Sequence, residues 1–301
     1  MGIGEIAANS SDKELLVLEK GKSRSFEKHQ IPVKIAVMAA NNKGKGKKNW
    51  RKHQKKSASA IQKLYDACKI VFASSCTGFI PSLDNLEKLQ AILENIKPAD
   101  VGIHPDMHYF RNSGERSFPA ITYLHIHENE KFSIGIFCLP PSAVIPLHNH
   151  PGMTVFSKLL FGTMQVKSFD WVGSTSSVTS PSPPHLGEET RSNRRLAKVK
   201  VDSEFTAPCK PLILYPEDGG NMHCFTAVTS CAILDVLGPP YSDVDGRHCT
   251  YFRPFSFSDT DYDGVCIAED DRKQYAWLEE VNKPENLSVL GERYAGPKIQ
   301  K

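Results

Sequence analysis

The sequence predicts a mainly β protein, an antiparallel barrel or sandwich preceded by helices. Three observations carry this. From residue 120 onward the chain breaks into many short runs rich in β-branched and aromatic residues, separated by Gly and Pro turns. Upstream of them, residues 57–96 place their apolar side chains at helical spacing instead. At 301 residues, with 40% hydrophobic and 24% charged residues, the chain can bury one sizeable core, so a single main domain with extensions is the economical organisation.

In chain order, residues 1–56 are rich in Lys, Ser, Asn and Gly, lack a sustained apolar period, and read as a disordered extension. Within it, residues 43–56 hold eight Lys or Arg and no acid. Two readings stay open for this cluster: a nuclear import signal, or a solvated tail that touches polyanions loosely. Without those eight, 29 basic residues face 34 acidic ones, a balance near −5, which argues against nucleic-acid binding by the main domain.

Residues 57–100 read as helices that pack on the barrel. The first spans 57–73, with Ile61, Leu64, Tyr65, Cys68, Val71 and Phe72 on one side, and Cys68 reads as core. Pro81 and Ser82 open the second, with Leu83, Leu86, Leu89, Leu93 and Ile96 aligned; it must stop near Ile96 because Pro98 cannot extend it. The barrel then occupies 101–281. Strands are expected at 121–127, 132–138, 143–150, 153–161, 164–171, 197–205, 212–215, 224–228 and 231–237. Residues 173–195, with Ser-Pro-Ser-Pro-Pro at their centre, read as a mobile surface loop. Residues 262–275 read as loop, turn and short strand, and 282–301 as a polar tail.

Several classes are disfavoured. No apolar run approaches the roughly 18 residues of a membrane helix. The first residues lack the basic and apolar regions of a signal peptide. The eight cysteines include no Cys-x-x-Cys pair and read as reduced thiols of the cytosol or nucleus.

The chemistry concentrates in residues 145–154, around His148-Asn-His150. In a strand, alternate side chains share a face about 7 Å apart at roughly 3.3 Å rise per residue. Two imidazoles placed so can converge on one metal ion at about 2 Å from each nitrogen. Asn149 then points away, on the face of Ala143, Ile145 and Leu147, which read as core. Pro151-Gly152 turns the chain. A His-x-His pair alone is equally a surface histidine beside a packed one. His223 strengthens the metal reading, because it follows the Gly219-Gly220 turn and precedes the apolar run 232–237, so that a neighbouring strand would complete a facial set of three imidazoles. A competing pair, His125 and His127 with Glu128 and Glu130 behind, lacks the Pro-Gly turn and reads as exposed or packing. His104, His108, His185 and His248 lie in loop-like context and read as solvent-facing.

These residues resemble the cupin superfamily, whose first motif runs Gly-x5-His-x-His-x3-4-Glu-x6-Gly. His148, His150 and Gly162 fit its spacing, but the Glu slot holds Val155. Pro216, Gly220 and His223 loosely match the second motif, Pro-x-Gly-x2-His, with a longer spacing between Pro and Gly. The missing Glu points to the three-His iron sites of thiol dioxygenases. Residues 132–141, 146–160, 234–242 and 247–251 are similar to the plant cysteine oxidases, relatives of animal 2-aminoethanethiol dioxygenase, and the resemblance spans roughly residues 60 to 280.

The resemblance implies a cupin double-stranded β-helix (jelly-roll) barrel and an Fe(II) dioxygenase, acting as a monomer in nucleus and cytoplasm. That family oxidises the N-terminal cysteine of proteins, group VII ethylene-response transcription factors among them, to the sulfinic acid with O2. The products enter the N-degron pathway, which makes the enzyme an oxygen sensor. Carried over, His148, His150 and His223 hold Fe(II), and Asp235 and Tyr241 line the active-site pocket. Cys249 and Tyr251 match a Cys-x-Tyr near the site of the animal relative. The chemistry is consistent with this. Three neutral imidazoles leave the ion its full charge and room for a thiolate, an amine and O2, whereas a carboxylate at position 155 would take up a place. Asp235 would be costly to bury unpaired and suits orienting a ligand or binding the substrate amine; alternatively it bonds backbone at a strand end. Tyr241 follows Gly238-Pro-Pro, whose restricted backbone aims its hydroxyl; otherwise it is a packed aromatic at a turn. Three rivals stay open at this point: a zinc hydrolytic site, since zinc binds nitrogen donors more tightly than Fe(II); a dioxygenase of free cysteine or cysteamine; and a non-catalytic nuclear binding protein.

Overall fold

The computed structural model describes residues 58–111, 118–173, 194–256 and 268–301. The basic cluster at 43–56, His185 and most of the loop expected at 173–195 lie outside them. The helical prediction places two helices, α1 (Ala60–Val71) and α2 (Leu83–Asn95). Ser59 caps α1, its hydroxyl accepting from the Gln62 amide at 3.2 Å. The buried face of α1 is Ile61, Leu64, Tyr65, Cys68 and Val71, as the spacing requires. In α2, Leu86, Leu89 and Leu93 are buried, whereas Leu83, expected on the same side, is 69% exposed. Ile96 turns extended ahead of Pro98 and ends the helix. Among the described residues no helix is long and apolar enough to cross a membrane.

Among the described residues twelve strands follow: β1 (Ile121–Glu128), β2 (Ser133–Leu139), β3 (Val144–His148), β4 (Thr154–Phe161), β5 (Thr163–Trp171), β6 (Arg194–Thr206), β7 (Leu212–Leu214), β8 (Met222–Ala227), β9 (Cys231–Gly238), β10 (Tyr251–Ser256), β11 (Tyr275–Val281) and β12 (Val289–Arg293). One sheet has the order β12-β1-β2-β9-β4-β7. The second closes on itself as β10-β11-β6-β5-β8-β3, the last link being the pairing of Tyr251 with His148. This is the expected cupin double-stranded β-helix. All pairings are antiparallel except β1 with β12, which run parallel.

The alternation of side chains along the first sheet explains its continuous apolar runs. On the outer face, Ile134, Ile136 and Cys138 of β2 and Leu234 and Val236 of β9 pack under α1 and α2 in one core with Phe72 and Phe156. On the inner face, Leu139, Leu159 and Ile233 meet Met164, Val166, Phe225 and Ala227 of the second sheet. Strands covered on both faces read as unbroken apolar runs rather than alternating ones.

Three strands departed from the sequence reading. β10 was not assigned, β11 begins where only a short strand was expected to end, and the segment read as a polar tail contributes β12. β12 is exposed along its whole length and β10 is half-exposed, so neither carries an apolar period. The strand expected over 143–150 also stops early, at His148, leaving His150 in the turn that follows.

Gly162 joins β4 to β5 with φ +89°, and a Cβ there would run into the Ser230 carbonyl and the Cys231 backbone. Gly162→Ala is therefore expected to destabilise the fold by about 1–3 kcal/mol from backbone strain alone. A thermal melt of the purified variant should show a clearly lowered midpoint, and an unchanged one would remove Gly162 from the list of residues the barrel requires.

A candidate three-histidine metal centre

His148 ends β3 and pairs directly with His223 of β8. Between Ile145 and His148 the ladder slips, with two residues of β3, Pro146 and Leu147, opposite one of β8. Proline cannot donate to a ladder, and such a bulge re-aims the residue after it. The consequence corrects the alternation drawn from the sequence. Ile145 shares the face of His148 and lines the same cavity, while Ala143 and Leu147 are core as expected.

His150, beyond the strand, is held by the side chain of Asn221. The Asn221 Oδ1 accepts from the His150 amide at 2.9 Å, and its Nδ2 donates to the His150 carbonyl and to the Tyr215 carbonyl, both at 2.8 Å. Asn221 thus treats His150 as a strand neighbour would. Its own position follows from Gly219 and Gly220, both at positive φ, and from Asp170 Oδ1, which accepts from the Gly220 and Asn221 amides. The sequence offered Gly-Gly-Asn as a turn but gave no sign that the Asn side chain reached seventy-one residues back.

The three rings meet at centroid distances of 4.7 to 4.9 Å, and one donor atom from each lies within 4.8 Å of the others. No other group of His, Cys, Asp or Glu side chains among the described residues gathers in this way. Burial pushes the pKa of all three below the ordinary imidazole value, well below for His150 and His223, so they stand as neutral donors. Their partners fix the tautomers. The Nδ1 of His148 is 2.8 Å from the Pro146 carbonyl, which only accepts, so Nδ1 carries the proton and Nε2 the lone pair. Tyr241 donates its hydroxyl proton to the Asn149 carbonyl at 2.8 Å and so must accept from His150 Nδ1–H at 2.9 Å. The Nε2 atoms of His150 and His223 then face each other at 3.3 Å. In the absence of an ion His223, whose tautomer no other partner fixes, donates Nε2–H to the His150 Nε2 lone pair; a bound cation takes the place of that proton, and the donor set suits a divalent transition metal.

The Glu slot of the first motif is filled as the sequence implied. Val155 is buried in an apolar cluster with Met153 and Leu214, against Leu237 and Tyr241. A cavity of about 350 Å³ opens over the imidazoles and is lined by Asp235, Tyr241, Cys249 and Tyr251 among others. All five residues singled out as ligands or pocket residues therefore reach one site. Asp235, from β9 of the opposite sheet, is buried, and burial raises its carboxyl to about 7, with Ser157 across the ladder drawing it partly back. Its Oδ1 has no hydrogen-bond partner. Burial likewise raises Cys249, with the neighbouring Tyr251 and Tyr241 hydroxyls drawing it partly back. Arg247 braces the loop that carries Tyr241, donating to the Pro240 carbonyl and to Thr77. The competing pair is elsewhere. His127 is buried against Tyr65 and Phe132, and its ring bonds Asn129, while His125 is exposed. His104, His108 and His248 are exposed.

A double-stranded β-helix holding three neutral, buried imidazoles without a carboxylate among them defines a cupin with a three-histidine site that could hold a metal ion. The PCO_ADO family model matches residues 92–299, and the chain belongs to that family. It is 55% identical over 261 residues to plant cysteine oxidase 2 of Arabidopsis thaliana, covering 86% of this chain and 90% of that one. Plant cysteine oxidase 1 of the same plant is 53% identical, covering 83% and 85%. The 2-aminoethanethiol dioxygenase of Mus musculus is 32% identical, covering 80% and 97%. Among solved structures, an RmlC-like cupin protein from Desulfovibrio desulfuricans is 18% identical with a TM-score of 0.27, covering 46% of this chain and 95% of that one.

Two outcomes follow from these contacts. Tyr241→Phe strips His150 Nδ1–H and the Asn149 carbonyl of their partner, and divalent-metal affinity should fall about 10–100-fold in a chelator competition titration. Asp235 titrates higher in the fold than in the unfolded chain, so its neutral form persists up to about pH 7 while the unfolded carboxyl ionises from about pH 4. Its contribution to stability is intact below that lower value and is lost as pH rises. Asp235→Asn should accordingly gain thermal stability over the parent as pH rises through this window, and show no gain at its acid end. A gain independent of pH would mean the carboxyl is not held neutral.

Proposed function

We propose that this protein is an Fe(II)-dependent dioxygenase that converts the N-terminal cysteine of proteins to cysteine sulfinic acid, adding both atoms of O2 to the sulfur. The observation that carries the reading is the donor set, three neutral imidazoles with Val155 in the place of a carboxylate, beneath a cavity large enough for a cysteine. The names of the Arabidopsis relatives, cysteine oxidases more than half identical in sequence, support the substrate class.

His148, His150 and His223 hold the iron, which supplies the redox chemistry that takes the thiol up the oxidation ladder to the sulfinic acid. The chain supplies geometry and proton control. Pro146 and Tyr241 keep two of the rings in the tautomer that turns Nε2 to the centre. Asp235, poised near neutrality on the opposite wall, receives the hydrogen bond of the substrate's amino group and, when ionised, balances its charge. Ile145, Phe225 and Leu237 give the cavity an apolar lining that keeps bulk water from the sulfur. The substrates in this reading are proteins with N-terminal cysteine, the group VII ethylene-response transcription factors among them, with the sulfinic product feeding the N-degron pathway under control of oxygen supply. Nuclear as well as cytoplasmic residence belongs to the same reading, with residues 43–56 as the import signal.

Incubating a Cys-initiating peptide, free cysteine and cysteamine separately with iron-loaded protein, and weighing each by mass spectrometry, tests the reading. The peptide should gain two oxygen atoms faster than either small thiol. Preference for a small thiol would reassign the substrate, and an oxygen-insensitive zinc protein on metal analysis would end the dioxygenase reading. Alanine at His148, His150 or His223 should remove iron and activity together, whereas alanine at His125 or His127 should leave iron bound. Retained iron in the His223 variant would contradict the ligand assignment.

A further inference from the structure

Behind His223, on the side away from the substrate cavity, lies a second, small cavity of about 30 Å³. Its walls are Val166, Val201, Leu212, Leu214 and Phe225, with Ser157, Ser168 and the ring of His223. The polar atoms here are the surprise. His223 Nδ1, Ser157 Oγ and Ser168 Oγ are all buried and make no hydrogen bond of normal geometry, although Ser157 stands beside Asp235 across the ladder and acts on its carboxyl; their residues are 3%, 3% and 2% exposed. Ser168 is the cross-strand neighbour of His223 on β5, so their side chains share a face. Ser157 comes from β4 in the opposite sheet.

Three orphaned polar atoms around one apolar-walled cavity are too costly to stand idle, since each buried unpaired group costs about 1–3 kcal/mol. The cavity exceeds the roughly 10–15 Å³ that one water needs, and a buried water is normally held by two to four polar partners. His223 is also the one ring of the three whose second nitrogen has no protein partner, where His148 has Pro146 and His150 has Tyr241. When Nε2 gives its lone pair to a metal, His223 Nδ1 carries the ring proton and requires an acceptor. Neither serine hydroxyl bonds it directly, but a water between them accepts from Nδ1–H and shares its remaining bonds with the two hydroxyls.

From this geometry we infer that the small cavity is a specific site for one water molecule, and that Ser157 and Ser168 are positioning residues that act through it to fix the tautomer and aim of His223. The inference rests on the metal-centre reading for its consequence, though not for the water itself. It adds a third support to the two already seen, made of solvent held by hydroxyls from both sheets. Gly220 contributes by closeness, because a Cβ there would strike the Ser168 hydroxyl.

Two measurements test it. A high-resolution crystal structure of the wild-type protein should show one ordered water within hydrogen-bond distance of His223 Nδ1 and at least one serine hydroxyl, with or without metal bound. A dry cavity, or a side chain filling it, would overturn the inference whatever the metal reading's fate. Separately, Co(II) affinity and the Co(II) d–d absorption spectrum would be compared for wild type, Ser157→Ala, Ser168→Ala and the double variant. The expected result is a 10–100-fold loss of affinity and a shifted spectrum in the double variant. Serines that merely pack would leave both unchanged, and that outcome refutes their positioning role. If the double variant does not fold, the single variants decide by the same readout. Failure of the wild type to bind any divalent metal would instead strike the metal-centre reading, and the crystallographic water would still be judged on its own.

Discussion

Everything in this molecule turns on holding three imidazoles neutral and convergent in a place without bulk water. Desolvation drives their protons off but also makes any ring nitrogen left without a partner costly. The fold compensates by supplying a fixed partner to the other edge of two rings: a backbone carbonyl for His148 and a phenol for His150. The Nε2 lone pairs are thereby committed to the centre before any ion arrives. A preorganised donor set of this kind orients ligands from the second layer of contacts rather than from the metal.

The barrel distributes the two duties of the first sheet between its faces. Outward, β2 and β9 offer aliphatic side chains to α1 and α2, and the Phe72, Phe132 and Phe156 rings fill the seam. Inward, the alternate positions present Ser133, Gly135 and Asp235 to the cavity. A single strand can therefore carry both a helix-packing stripe and a cavity wall. Gly135 is required by closeness, since the Tyr123 ring lies where a Cβ would stand.

Loops complete the centre. The Gly219-Gly220 turn is pinned by Asp170, and it presents Asn221 to the backbone of His150. On the other side Arg247, buried among Pro240, Thr77 and Asp245, steadies the segment that carries Tyr241. The site thus depends on residues remote in sequence that never touch the cavity's contents. Their removal would loosen ligand angles without deleting a ligand, which is how a metal centre tolerates folding yet loses affinity.

Much of this was legible in the chain. The switch from helical to strand periodicity near residue 120, the His-x-His beside a Pro-Gly turn, the third histidine after Gly-Gly and the apolar residue in the carboxylate slot are local patterns, and each corresponds to a local physical requirement. β10 and β12 were not legible, because a half-exposed strand and a fully exposed edge strand bury too little to leave an apolar period. The bulge at Pro146 was equally hidden: a two-for-one register is set by the partner strand, so Ile145 was placed on the wrong face. Asn221, Ser157 and Ser168 carried no motif, since their partners are brought to them only by sheet closure. What the sequence determined by itself was the donor chemistry, because residue type fixes which atoms can bind a metal and short-range spacing fixes which of them share a strand. What only the tertiary structure decided was the aim of those donors, because the second edge of each imidazole is governed by groups that meet it across the barrel.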